Sequence, residues 1–260
     1  PTGLGRLDLY EKVGSKATLT DSEKDEWDRV VDRFDLVCKT AQFKDVALLI
    51  DAEESWMQDA ADDLVAQMMQ KYNKEKAIVF NTLQMYRWDR LDYLKQLHQK
   101  AKEEGFYIGM KIVRGAYMEK ENARAEAKGY PTPICPSKEA TDANYDAAVL
   151  YMMEHLETMA IFAGTHNESS SYALMNLMQE RNIKTNDERI WFGQLYGMSD
   201  NISYNLAANR FNVAKYLPFG PVKDVMPYLI RRAEENTSVA GQTSRELSML
   251  KAERNRRKAL

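Results

Sequence analysis

The chain alternates between short apolar runs and longer charged stretches with helical periodicity. Six runs are rich in β-branched residues, and they span 46–50, 77–80, 107–113, 159–163, 190–193 and 213–217. Successive runs begin about 33 residues apart, which is the length of one strand–helix unit. The pattern predicts an α/β fold with buried parallel strands, and it favours a sheet or barrel over a helical bundle or a β-sandwich.

Each apolar run is followed by polar side chains, and this feature separates a barrel from an open sheet. The polar ends are Asp51, Gln84, Arg114, residues 165–167, Gln194 and Tyr216. In a (βα)8 TIM-type barrel every strand contributes to one rim, whereas a doubly wound sheet gathers its polar ends at the switch point. The sequence therefore predicts a barrel.

A complete barrel needs eight strands, and the pattern supplies six. At about 33 residues per unit, two more units would occupy roughly 65 residues before Pro1. We therefore expect the first two strands to be missing from this chain. On this interpretation residues 1–240 form the barrel part, strands 3 to 8, and residues 241–260 form a basic C-terminal helix or tail.

Composition narrows the class of protein further. The 260 residues are 44% hydrophobic and 29% charged, which is typical of a globular domain. The net charge of −3 does not indicate nucleic-acid binding. No apolar run approaches the roughly 18 residues of a membrane span. Cys38 and Cys135 lack metal-ligand spacing, and three histidines without an HExxH motif predict no catalytic metal. We expect both cysteines to be reduced and buried.

Three cations are candidates for binding an anion. Arg231 and Arg232 follow the last strand, and adjacent guanidinium groups suit a carboxylate or a phosphate, although an exposed pair bound to Glu234 or Glu235 is an alternative. Lys111 lies on a strand and needs a partner, either a flavin, phosphate or carboxylate ligand or a neighbouring acidic side chain. Gly115 follows that strand and permits close approach of a ligand to the backbone.

The remaining candidates are each weak alone. Asp51 either fixes a ligand or caps the helix that follows it. His166 is more often a structural residue than a catalyst in such a position, and Gln84, Gln194 and Tyr216 are neutral donors and acceptors. The chain has no GxGxxG motif after a strand, no P-loop and no GxSxG elbow. Redox chemistry therefore requires a cofactor held by the barrel mouth itself.

Several stretches together resemble the flavin-dependent proline dehydrogenases. They are DAEE (51–54), NTLQMY (81–86), KIVRGAYMEKENARA (111–125), ATDANYDA (140–147), GTHN (164–167), FGQLYGM (192–198), YLPFGP (216–221) and YLIRRAEENTS (228–238). The resemblance implies a (βα)8 barrel with non-covalent FAD over its strand ends. It also implies oxidation of L-proline to Δ1-pyrroline-5-carboxylate by hydride transfer to flavin N5, with electrons passed to a quinone, in proline catabolism.

The resemblance also implies roles for individual residues. Arg231 and Arg232 would hold the proline carboxylate. Asp51, Leu195 and Tyr216 would line the substrate pocket, with Tyr117 close to it, and Lys111 would place a positive charge near flavin N5. The residues implied to hold FAD are Gln84, Lys111, Val113, Gly115, Ala116, Thr165, His166, Asn167, Gln194 and Glu235.

The chain departs from the family pattern at two places. A substrate-pocket lysine of the family precedes a segment like 2–5, so it is not in this chain. Trp88 stands where relatives carry a lysine, and we assign it no role.

Two other functions fit parts of the pattern. One is a flavin barrel acting on hydroxyproline or another substrate, and the other is an incomplete barrel that serves as a ligand-binding or interaction module. The expected partners are L-proline and a quinone, with peripheral contact to a membrane and no nucleic acid. The expected location is the bacterial cytoplasm, or the mitochondrial matrix or inner membrane in a eukaryote.

Overall fold

The computed structural model describes residues 1–223, 225–226, 228–230 and 240–258. The chain forms two compact units, Pro1–Lys215 and Tyr216–Leu260. The described elements are, in order, α1 (Leu7–Gly14), α2 (Asp21–Lys44), β1 (Leu48–Leu49), α3 (Ser55–Tyr72), β2 (Val79–Gln84), α4 (Arg90–Glu104), β3 (Ile108–Val113), α5 (Met118–Lys128), α6 (Lys138–Glu154), β4 (Met159–Gly164), α7 (Glu168–Glu180), β5 (Ile190–Leu195), α8 (Asp200–Ala208), β6 (Val213–Tyr216) and α9 (Ala240–Lys258). The boundary at residue 240 between the barrel part and the C-terminal tail stays a prediction.

The strands form one sheet in which each strand neighbours the next one along the chain, in the order β1 to β6. The pairing from β1 to β5 is parallel, and Lys111 of β3 lies beside Thr82 of β2 and Phe162 of β4. A doubly wound sheet reverses its order at a switch point, and this sheet does not. The six predicted strands and the α/β fold are thus confirmed. The order of the strands is that of one side of a barrel.

Strand β1 is shorter than the predicted run at 46–50. Helix α2 ends at Lys44, the capping residue Asp45 adopts a left-handed conformation, and the Val46 amide donates to the Ala41 carbonyl at 3.0 Å. Val46 is therefore part of the helix closure rather than the strand, and its side chain is exposed. At its other end α2 begins with a capping box formed by Thr20 and Glu23.

Two glycines in the strands make room for aromatic rings of neighbouring strands. A Cβ atom at Gly109 would lie 2.6 Å from the ring of Phe80, and one at Gly193 would lie 2.1 Å from the ring of Phe162. Both distances are too short for a real side chain. The Phe80 and Phe162 rings therefore occupy the space that a side chain at Gly109 or Gly193 would need, so only glycine fits at these two positions.

A buried polar network joins α3, β2 and α4. Asp62 accepts hydrogen bonds from Gln58 and Asn81, each at 2.8 Å, and forms an ion pair with Arg90 at 2.6 Å. Arg90 also binds Asp89 at 2.6 Å. Both members of the Asp62–Arg90 pair are buried. Because every polar atom of Asp62 has a partner, the network fixes how these three elements pack.

A second buried polar side chain is that of His98, a residue of α4 that contacts α6. Its Nδ1 atom is 2.7 Å from the Tyr151 hydroxyl, its Nε2 atom is 3.2 Å from the Thr158 hydroxyl, and its ring lies 4.6 Å from that of His155. Burial, together with the charges of Lys102 and His155, lowers the pKa of His98 to about 4. His98 is therefore neutral in the folded protein at neutral pH.

This arrangement predicts that acid destabilises the protein before most carboxylates titrate. An unfolded histidine has a pKa of about 6.5. The stability from neutral His98 is complete above that pH and is lost as the pH falls from about 6.5 to about 4. We expect a loss of up to about 2 kcal/mol between pH 7 and pH 5. Urea unfolding of the wild type and of His98→Gln measures it, and an equal pH slope in both proteins would contradict the prediction.

Two further expectations concern the cysteines and the membrane. Both thiols are free, and Cys38 is buried as predicted, but Cys135 keeps part of its surface exposed. None of the described helices is both long enough and apolar enough to cross a membrane.

Candidate active site at the carboxyl edge of the sheet

The carboxyl ends of the strands and the loops after them, here called the rim, place several predicted residues together. Because the strands are parallel, residues that follow each of them lie at the same edge of the sheet. Asp51 follows β1, Gln84 ends β2, Val113 ends β3, residues 165–167 follow β4, and Leu195 ends β5.

Lys111 and Asp51 form an ion pair at the rim, with Nζ 2.5 Å from Oδ1. The lysine side chain is 19% exposed and the aspartate side chain 54%. Lys111 therefore has the acidic partner that one of the two interpretations predicted, and its role toward a ligand stays a prediction. The alternative in which Asp51 caps the next helix is wrong, because α3 begins at Ser55 with Glu54 at the cap position. Because about half of the Asp51 side chain is exposed, its carboxylate is accessible to a ligand.

Gln84 offers the rim an unused acceptor. The residue is 3% exposed, and its amide nitrogen donates to the Ala52 carbonyl at 3.4 Å. Its Oε1 atom is buried and has no hydrogen-bond partner in the part of the chain described here. An unsatisfied buried acceptor costs about 1–3 kcal/mol, so this oxygen fits an N–H donor from a bound molecule.

The loop after β3 presents backbone rather than side chains. Gly115 has a φ of +129°, and a Cβ atom there would lie 2.4 Å from the ring of Tyr86. Glycine is required on both counts. Gly115 and Ala116 are exposed, while Tyr117 is half-buried with Lys120 above its ring at 5.6 Å. The exposed peptide groups of this loop are accessible to a ligand.

Arg114 is a rim residue whose role the sequence did not reveal. Its guanidinium donates to Asp142 at 2.6 Å, to the Thr165 hydroxyl at 2.9 Å and to the Ser170 hydroxyl at 3.0 Å. It also lies 4.5 Å from the ring centre of Tyr145. These contacts join β3 to α6 and to the loop after β4. In the sequence, only its position at the end of a predicted strand, next to Gly115, indicated that Arg114 lies at the rim.

The loop after β4 is held mainly by its own side chains. The Thr165 hydroxyl also accepts from the Asn167 amide at 3.0 Å, and the Asn167 side chain caps α7 by accepting from the Ser170 amide at 3.2 Å. His166 lies 3.0 Å from the Ser199 hydroxyl. The Thr165 and Asn167 side chains are therefore engaged within the protein, and so are the backbone amides and carbonyls of both residues.

Gln194 at the end of β5 is engaged in the same way. Its nitrogen donates to the Thr165 carbonyl at 3.3 Å, and its oxygen accepts from the Ser203 hydroxyl at 2.8 Å. The Leu195 side chain beside it is half-buried.

The second unit contains the other predicted residues. Tyr216 is 47% exposed, and its ring lies 5.3 Å from that of Tyr228. Tyr228 is the first residue of the YLIRRAEENTS motif, from which no role for it was predicted. Arg231, Arg232 and Glu235 lie outside the described residues.

A parallel sheet that gathers charged and amide groups at its carboxyl edge defines the class of α/β proteins that bind ligands at the strand ends. The chain belongs to the proline dehydrogenase family, whose sequence profile, described as proline dehydrogenase, matches residues 5–245. The resemblance seen in the sequence is thereby confirmed.

Individual relatives agree with this placement. The chain is 36% identical over 258 residues to the carbapenem antibiotics biosynthesis protein CarD of Pectobacterium carotovorum, covering 99% of this chain and 66% of that protein. It is 40% identical over 241 residues to proline dehydrogenase 1, mitochondrial, of Homo sapiens. That match covers 92% of this chain and 40% of the human protein. The chain thus spans only part of the relatives it matches.

A solved structure supports the fold. Proline utilization A (PutA) from Bdellovibrio bacteriovorus, in a crystal structure of the protein inactivated by N-propargylglycine, matches with a TM-score of 0.76 and 26% identity. The match covers 84% of this chain and 22% of that one. The six-stranded wall is therefore consistent with part of a TIM-type barrel.

Proposed function

We propose that this chain is the catalytic part of a flavin-dependent proline dehydrogenase that oxidises L-proline to Δ1-pyrroline-5-carboxylate in proline catabolism. The observation that carries the proposal is the Lys111–Asp51 pair at the rim of a chain in this family. Bound FAD would accept a hydride, which is two electrons and one proton, from the ring carbon of proline, the second proton would leave the ring nitrogen for solvent, and a quinone would receive the electrons. The product keeps the carboxylate and gains a C=N bond.

The residues of the rim fit a flavin. The unsatisfied Gln84 oxygen suits a ring N–H donor, and the exposed backbone at Gly115 and Ala116 permits close contact with a planar ring. We propose that FAD is held by Gln84, Lys111, Val113, Gly115, Ala116, Thr165, His166, Asn167, Gln194 and Glu235. The fixed positive charge of Lys111 would stabilise negative charge that develops nearby, which favours transfer.

The substrate requires an anion site and a pocket wall. We propose that Arg231 and Arg232 bind the proline carboxylate, since paired guanidinium groups match its two oxygens. Asp51, Leu195 and Tyr216 would line the pocket, with Tyr117 near it. The half-open Asp51 carboxylate would orient the ring amine, and the apolar Leu195 and Tyr216 side chains would exclude water.

We further propose that an additional strand completes the barrel at β1. In the part of the chain that is described, β1 is an edge strand, and a cavity of about 200 Å³ beside it is lined mainly by apolar residues. The lining residues are Pro1, Leu4, Phe34, Val37, Cys38, Leu48, Leu49, Ile50 and Asp51. An open apolar edge favours pairing with a further strand. We assign residues 1–240 to the barrel and 241–260 to a basic tail.

The proposed setting is the bacterial cytoplasm, with peripheral contact to a membrane that holds the quinone. The eukaryotic relatives are named as mitochondrial proteins. In a eukaryote the corresponding location would be the mitochondrial matrix or inner membrane.

The test is anaerobic titration of the flavin-loaded protein with L-proline, monitored at the long-wavelength flavin band. We expect the band to bleach. Arg231→Met should raise the proline concentration for half-bleaching roughly 10- to 100-fold, because a charge-assisted contact contributes about 1.5–3 kcal/mol. Arg29→Met, an exposed arginine of α2, is the matched control and should behave as the wild type.

The outcomes separate the alternatives. A yellow protein that hydroxyproline bleaches but proline does not would indicate a different substrate. A protein that binds no flavin would favour the interaction module. Equal half-bleaching concentrations for Arg231→Met and the wild type would refute the carboxylate site while leaving the reaction intact.

A further inference from the structure

Glu121 is a fully buried carboxylate outside the residues discussed so far. It lies in the first turn of α5, and both of its oxygens bind Ser55, the first residue of α3. Oε1 accepts from the Ser55 amide and Oε2 from the Ser55 hydroxyl, each at 2.6 Å. Among the described residues, no lysine or arginine lies within ion-pair distance of Glu121. Its charge is therefore stabilised mainly by the amino end of α3.

This contact holds the loop that contains Asp51. Residues 51–54 connect β1 to Ser55, so the position of Ser55 fixes one end of the loop and β1 fixes the other. A neighbouring residue adds to the contact, since Lys120 binds the buried Glu54 at 3.1 Å. Lys120 is 64% exposed, however, and such an ion pair contributes little. Glu121 is thus the main attachment between α5 and this loop.

The amino end of α5, which holds Glu121, also leads back to Lys111. Helix α5 follows the loop 114–117, which comes directly after β3, and Gly115 of that loop lies against the ring of Tyr86. Tyr86 is buried, and burial followed by the charge of Glu121 raises the pKa of its phenol. The first turn of α5 therefore joins the loop after β1 to the loop after β3. These are the two loops next to Asp51 and Lys111.

We propose that Glu121 is a positioning residue that, through Ser55, holds the Asp51 carboxylate opposite the Lys111 ammonium. This inference rests on the proposed function for its kinetic consequence but not for its structural one. Glu121 is fully buried and acts through its contacts with Ser55. Its effect is to keep the 51–54 loop in one conformation, so that the ion pair at the rim is formed before a ligand binds.

The substitution that tests this is Glu121→Gln, which keeps the size of the side chain. Its oxygen can still accept from the Ser55 amide, but the Ser55 hydroxyl must turn to accept from the new amide nitrogen, and two hydrogen bonds to a carboxylate become weaker neutral ones. Ser55→Ala, which removes only the hydroxyl contact, is the milder second variant. Glu119→Gln is the matched control, because Glu119 lies on the same turn and is exposed.

The first measurement is amide hydrogen exchange in the 51–57 segment of the full protein. We expect faster exchange at the Ser55 amide in Glu121→Gln, and a smaller increase in Ser55→Ala, than in the wild type and Glu119→Gln. Unchanged exchange in both variants would overturn the proposal whatever reaction the protein catalyses.

The second measurement is the rate of flavin bleaching at saturating proline. We expect Glu121→Gln to slow it roughly 10- to 100-fold, as a misplaced active-site group does, with little change in the proline concentration for half-bleaching. In an Asp51→Asn background the same change should have no further effect. If the double variant instead slows bleaching by the product of the two separate effects, the proposal is overturned, because Glu121 would then act independently of Asp51.

The two measurements distinguish this inference from the proposed function. If proline bleaches no form of the protein but exchange increases as expected, the proposed reaction fails and the structural role of Glu121 stands. If proline bleaches the wild type and Glu121→Gln equally fast, the reaction stands and the positioning role is refuted.

Discussion

Replacing Arg90 by methionine is expected to lower the free energy of unfolding by about 3–5 kcal/mol at neutral pH, the usual cost of leaving one buried charge unpaired. Asp62, its partner, is buried and is already disfavoured as an anion, because burial raises the pKa of its carboxyl group. Gln58 and Asn81 would still donate to the carboxylate, but neither carries a charge. Urea denaturation followed by circular dichroism measures the loss.

Two comparisons make this prediction specific to the ion pair. In Arg90→Met the buried acid takes up a proton as the pH falls, so the loss relative to the wild type should shrink towards acidic pH. The double variant Asp62→Asn/Arg90→Met removes both charges and should recover much of the stability at pH 7. If the double variant is as unstable as the sum of the two single variants, the cost lies in packing rather than in charge.

Replacing Lys111 by methionine is expected to slow proline-dependent bleaching of the flavin roughly 10²- to 10³-fold, the range for loss of one group that stabilises developing charge. Methionine keeps most of the volume but removes the charge, and it leaves Asp51 without its partner at 2.5 Å. On the proposed placement of Lys111 beside the flavin, the absorption spectrum should also shift, because the ring would lose a neighbouring cation. Stopped-flow absorbance under anaerobic conditions gives the rate.

Lys111→Arg is the matched control for this prediction. It keeps the positive charge and a donor within reach of Asp51, so it should retain most of the rate. A Lys111→Met protein that bleaches at the wild-type rate would show that the charge takes no part in the transfer. Equal losses in the methionine and arginine variants would instead indicate that the shape of the lysine matters more than its charge.

Most of the fold could be predicted from the sequence because it depends on local patterns. Each apolar run of a parallel strand is continuous in the chain, so all six strands were located within a few residues. The main error was at β1, where Val46 belongs to the closure of α2. That closure depends on the left-handed conformation of Asp45, which is not a residue type that marks a helix end as glycine does.

The site was predictable only in part, because its residues meet through the fold. The motifs indicated Asp51 and Lys111 separately, but their pairing crosses β2 and is invisible in the sequence. The Arg114 contacts and the Glu121–Ser55 contact join residues more than about 25 positions apart, which no local periodicity encodes. The resemblance to the family could not supply them either, since the motifs carry residue identities and not contacts.

The contacts of Arg114 also bear on how the wall assembles. Neighbouring strands are mostly about 30 residues apart in the chain, but β3 and β4 are separated by about 50, because both α5 and α6 lie between them. This is the longest chain segment between neighbouring strands of the described sheet, so closing it carries the largest loss of chain entropy. Arg114 bridges that crossing, from the end of β3 to α6 and to the loop after β4. Loss of its side chain is therefore expected to speed the opening of the sheet between β3 and β4.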